Sequence, residues 1–346
     1  MPRSVRASLG RRLVALLALL LVPAACGPSL RSSEGSEGAN ITGYKVLREV
    51  PLPGDTSRWD YLAYDSSGRR LYIAHLGASQ VVAFDTERQK VAGVVPEVAS
   101  VHGLVVAPEL GRLYASATSK DQVAVIDTAS LRVLSSTPTG RYPDGLAFVP
   151  SLAKVYVSNA QDSVDSVLDA RNGQPLGSVP IGGDIGNSYF DPGSGLVYVA
   201  SGSDNKVVAV DPASDAVLGR YGLPGCEGAH GVQPDVPPQH RVFVGCEGNS
   251  KLAVFDLTMK RVSSTADVGD TPDVLALDPI AHRLYVAAES GPLTIFDVSG
   301  AEVRRLAQGN AGSNAHSVAV DPMTHVVYLP LRDLGGRPVL RELVAT

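Results

Sequence analysis

Long amphipathic helical patterns are missing from this chain, and so are clusters of Lys or Arg beyond residue 12. The first absence argues against helical bundles and coiled coils. The second, with a formal net charge of −5, argues against a nucleic-acid binder. No nucleophilic-serine motif, phosphate loop or dinucleotide fingerprint occurs, so those chemistries have no foothold. The longest apolar run, Leu13 to Val22, holds ten residues, too few to span a bilayer. Cysteine is scarce, with three residues in 346.

What is plentiful is turn chemistry. There are 35 Gly and 24 Pro, set between short alternating runs of Val, Tyr, Leu and Ala. Together with an apolar fraction of 44 %, this reads as an all-β chain with a sizeable core.

The N-terminus reads as an address. Arg3, Arg6, Arg11 and Arg12 form a basic head before the apolar run, as in a signal peptide over residues 1–25. Val22-Pro23-Ala24-Ala25-Cys26 resembles a bacterial lipoprotein processing box, with Pro23 where such boxes usually carry Leu. The resemblance implies lipidation of Cys26 and an exported, lipid-anchored protein facing the periplasm or cell exterior. Simple cleavage after the small residues is the alternative. Residues 27–43 are rich in Ser, Gly, Glu and Asn and read as a flexible linker.

From residue 44 to 346 the sequence repeats. Arg112–Asp127 (RLYASATSKDQVAVID), Lys154–Asp169 (KVYVSNAQDSVDSVLD) and Leu196–Asp211 (LVYVASGSDNKVVAVD) are one unit written three times. Its aromatic anchors are Tyr72, Tyr114, Tyr156, Tyr198, Phe243, Tyr285 and Tyr328, stepping by 42, 42, 42, 45, 42 and 43 residues. Each unit has room for four short strands, the arithmetic of a propeller blade. The seventh unit ends after three, at Val339–Leu343, and its missing strand is found in Tyr44–Gly54. A seven-bladed β-propeller closed by its own N-terminal strand is therefore expected, with no open sheet edge. The units resemble the YVTN-type propeller repeats of bacteria and archaea, on the KVYVSN run and the Pro143-Asp144-Gly145 step. That resemblance implies the fold, while the family hosts binding proteins and enzymes alike, with metal-dependent lactonases and lyases among its relatives.

Asp85, Asp127, Asp169, Asp211, Asp256 and Asp297 end the third strands, where an Asp caps its own turn. A second repeated position does not read as turn chemistry. Asp60, His102, Asp144, Asn187, His230, Asp273 and His316 lie 11 to 13 residues before each anchor. At the start of the channel-lining strands they should form a ring at one mouth. Three imidazoles with carboxylates beside them suit a divalent transition metal, zinc among the candidates. His102, His230 and His316 are the expected ligands, and Asp60, Asp144 and Asp273 the groups that orient them or act on bound water. A hydrated ring without metal, charge-balanced between Asp and protonated His, is the alternative.

Trp59, Asn187, Glu247 and Glu289 are expected to line a ligand pocket, with His75 near it, while His240, His282 and His325 fall in turns on the opposite face. Cys226 and Cys246 should form a disulfide in an exported protein, thiolate ligation being the sharper alternative. Two function classes follow. One is a monomeric propeller that binds a small molecule or protein partner at the channel mouth, with the ring as a structural or sensory metal site. The other is a lactonase-like metal-dependent hydrolase or lyase.

Overall fold

The computed structural model describes residues 38–346, so the signal peptide, Cys26 and most of the linker lie outside the described residues. Seven four-stranded antiparallel sheets follow one another, each running from an inner to an outer strand. The inner strands adjoin around a ring, and that of blade one (Leu62–Asp65) meets that of blade seven (Ala319–Asp321). Among the described residues no helix is long and apolar enough to cross a membrane.

Alternation makes this architecture. Successive side chains in a strand point to opposite sheet faces, and a blade is covered by a neighbour on both. The middle strands are therefore apolar nearly throughout, as in Leu71–Ala74, each residue at most 1 % exposed. The outermost strands, such as Arg132–Pro138, are largely exposed. All seven aromatic anchors are buried between blades. The third-strand aspartates do cap turns: Asp85 accepts from the Arg88 amide at 2.7 Å and Asp127 from that of Ser130 at 2.8 Å. Asp169, Asp211, Asp256 and Asp297 repeat the arrangement.

Closure is as the repeats require. Tyr44–Pro51 pairs antiparallel with Val339–Ala345, with a bulge at Leu47. Cross-terminal ion pairs reinforce the seam, Arg48 with Glu342 at 3.3 Å and Glu49 with Arg341 at 2.6 Å. The strand is anchored earlier than expected. Asn40 bridges Asn310, and Ile41 is buried against blade six, so residues 40–43 belong to the fold and not to a free linker.

Cys226 and Cys246 form a disulfide, which excludes them as thiolate ligands. It closes a loop of 20 residues, stabilising the fold by about 3 kcal/mol on the loop-entropy estimate.

Candidate metal centre at the channel mouth

The inner strands present their functional residues through a repeated irregularity. In blade two, Val101 pairs with Ala117 and Leu104 with Ala115, so His102 and Gly103 form a bulge. The same shift falls at Asp144-Gly145, His230-Gly231 and Asp273-Val274. A bulge re-aims a side chain out of the strict alternation of a strand, here into the channel mouth. Glycine beside the ring residue lets the next blade approach: a Cβ on Gly103 would lie 2.0 Å from the Asp144 carbonyl oxygen. Gly231 is confined the same way, 2.2 Å from that of Asp273.

These bulges surround a cavity of about 620 Å³, lined by Asp60, His102, Asp144, His230 and Asp273 among others. His316 is buried to 1 % exposure and stands outside that lining. Its Nε2 is 3.6 Å from Asp60 Oδ1 and 4.0 Å from Asp273 Oδ2. On the other side of Asp273, His230 Nε2 lies 3.4 Å from Oδ1, and His230 Nδ1 is 3.8 Å from Glu247. His102 is 3.9 Å from Asp60, and its Nε2 meets the Tyr142 hydroxyl at 3.3 Å.

Two donor groups result, each with its atoms within 4.8 Å of one another: Asp60, Asp273 and His316, and His230, Glu247 and Asp273. A tetrahedral zinc with bonds of about 2.1 Å sets its donors about 3.4 Å apart, so the first group needs little movement to hold a metal ion. Both carboxylate oxygens of Asp60, Oδ1 of Asp273, Oδ1 of Asp144 and Nε2 of His316 are buried without a hydrogen-bond partner among the described residues. Buried carboxylate oxygens without hydrogen bonds are costly, and a metal ion among them would lower that cost.

Electrostatics agree. Burial opposes charge on His230, yet the adjacent Asp273 carboxylate, with Glu247 and Asp144 behind, pushes its pKa up to about 10. Burial likewise opposes the charge on His316, and Asp60 and Asp273 still raise its pKa. Asp144 is driven up, chiefly by burial. Asp273 is held low against burial by His230, His316 and Arg58. The mouth selects positive charge.

Several expectations need correction. The three imidazoles do not converge on one point; carboxylates stand between them, and Asp60 and Asp273 rather than His102 and His230 share a candidate donor group with His316. Asn187 is not in the ring. Ile185 pairs with Ser201 and Ser188 with Val199, which puts Gly186 where blades two and three have His102 and Asp144. Asn187 instead accepts a hydrogen bond from the Tyr61 hydroxyl and lines a second cavity of about 570 Å³ farther down the channel, walled mainly by aliphatic side chains such as Leu104, Val106 and Leu146. Tyr61 lines both cavities and forms the partition. Trp59 is core, 1 % exposed and stacked on the buried His75 ring at 3.8 Å, so neither residue reaches the mouth.

Glu247 and Glu289 do line the cavity, and Glu289 is paired with Arg58 at 2.8 Å. His240, His282 and His325 occupy positive-φ positions, and His325 pairs with Asp278 at 2.7 Å. Arg58, Tyr61 and Tyr142 were missed from sequence. Arg58 and Tyr61 flank the Trp59-Asp60 pair, and nothing repeats in other blades to single them out. For Asn187 a signal existed: it lies 11 residues before its anchor, whereas Gly186 lies at the 12 that five other blades keep.

No family profile and no curated protein matches the chain. Solved structures do. A chain of Kuenenia stuttgartiensis hydrazine synthase is similar over 85 % of this chain and 96 % of its own, with TM-score 0.71 and 18 % identity. The WD40 repeats of RRP9 align with TM-score 0.74 at 11 % identity, covering 88 % of this chain and all of that one. U3-55K aligns with TM-score 0.72 at 12 % identity, over 89 % of this chain and all of its own. At such identities the likeness is one of fold, and it agrees with the seven-bladed propeller.

Proposed function

We propose that this protein is an exported propeller whose channel mouth binds a divalent transition metal and, over it, a small-molecule or protein ligand. The observation that carries the reading is the set of unpartnered buried donor atoms on Asp60, Asp273 and His316, aimed at one another beside an open cavity. Mixed imidazole and carboxylate donors suit zinc, manganese or iron. Export and lipid anchoring at Cys26 rest on the N-terminal pattern, and kinship with YVTN-type propellers on the repeat motif.

The test is metal content. Purified protein stripped with chelator and reloaded with Zn²⁺ should retain stoichiometric zinc after gel filtration. His316→Ala and Asp60→Asn should lose the ion while circular dichroism stays unchanged. Equal zinc in folded wild type and both variants would refute the site.

Metal-dependent hydrolysis or elimination is the second reading, and Asp144 favours it. It faces the same cavity, belongs to neither donor group, and keeps an unpartnered oxygen available to take a proton. A bound metal would polarise a carbonyl or acidify water.

A further inference from the structure

We propose that Asp273 bridges two cations, so that the mouth is a two-metal centre; this rests on the metal-binding reading above. The second cation lies between His230, Glu247 and Asp273, and the first between Asp60, Asp273 and His316. Asp273 is common to both groups, and its two oxygens face opposite ways. Oδ1 is 3.4 Å from His230 Nε2, whereas Oδ2 is 4.0 Å from His316 Nε2. A carboxylate in that posture spans two ions, which in two-metal sites sit about 3.5–4 Å apart.

The charges at the mouth accommodate two ions. Asp60, Asp144, Asp273 and Glu247 bring four negative charges to the cavity wall, while Glu289 is neutralised by Arg58 at 2.8 Å. With His230 and His316 ligating as neutral imidazoles, two divalent cations balance these four charges. The site is also built to hold the second ion. Glu247 follows Cys246, whose disulfide to Cys226 ties the strand to the loop carrying His230. The Glu247 amide donates to the Gly228 carbonyl at 2.9 Å and that of Gly248 to Glu227 at 2.9 Å, fixing the carboxylate's backbone. Each ion then has one imidazole, one private carboxylate and half of Asp273, leaving positions open toward the cavity.

Metal stoichiometry with Zn²⁺, and electron paramagnetic resonance after reloading with Mn²⁺, test the proposal on the intact propeller. Wild type should hold two zinc ions per chain and give an exchange-coupled manganese pair. Glu247→Gln, which keeps size and removes charge, should hold one zinc and give an isolated manganese signal. One zinc in wild type, unchanged by Glu247→Gln, would overturn the second site and leave the first standing. Two zinc ions in both proteins would place the second elsewhere and overturn the bridge. No bound zinc in wild type would overturn this proposal and the metal reading together.

Discussion

Glu49 and Arg341 are 292 residues apart in sequence, yet the guanidinium donates to the carboxylate at 2.6 Å across the seam between the first and last strands. Arg341 is only 1 % exposed and also donates to the Ala311 carbonyl at 2.6 Å, so this contact ties the N-terminal strand to the interior of blade seven.

Removing that seam should therefore cost far more than trimming a terminus. Deletion through Pro51 exposes the edge of Val339–Ala345 and opens the ring. Glu49→Ala alone should destabilise by about 1–2 kcal/mol, discounted because Glu49 is partly solvated. Urea denaturation measures both, and a deletion that unfolds at the wild-type midpoint would contradict closure by this strand.

Blade three carries a buried acid where its siblings carry aliphatics. Asp165 aligns by register with Val81, Val123, Val207, Leu252 and Leu293, and all six are 0 % exposed. Its partner is Ser188 at 3.1 Å, and burial raises its pKa from 3.8 to about 7. The folded state thus binds this proton more tightly than the unfolded state. The stability it lends is full below the unfolded pKa and is lost as pH rises through about 7. Asp165→Asn should raise the melting temperature at pH 8 by several degrees and by clearly less at pH 5. Calorimetry at the two pH values decides; an equal effect at both would mean Asp165 is ionised throughout.

Metal binding should release protons. The pKa of His230 is about 10 without metal, so the imidazole is protonated at neutral pH and must lose that proton to ligate. Affinity should accordingly keep rising above pH 7, well past the range where an ordinary histidine has finished titrating. Calorimetric titration in buffers of different ionisation enthalpy reads the protons released, and His230→Ala should abolish this part. A pH-independent affinity between 6 and 9 would show that His230 is not displaced.

Blade number, strand order and closure were legible in the residues because a repeat restates its pattern at every turn, and anchors such as Tyr114 and Tyr156 mark the period. The six turn aspartates were legible for the same reason, each within reach of its own backbone. The disulfide followed from two cysteines in twin Gly-Cys-Glu-Gly segments of one blade. Contacts across the channel were not legible. Whether Asn187 or Gly186 stands in the ring depends on where a bulge slips the register, and one residue of slip moves a side chain from the mouth to the Tyr61 partition. Trp59 and Asp60 are neighbours in sequence, but alternation sends one into the core and the other into the cavity. That His316 meets Asp60 and Asp273, and not His102 and His230, is set by which blades adjoin when the ring closes. Local chemistry is written in sequence, but distances between blades come from packing seven sheets around one axis.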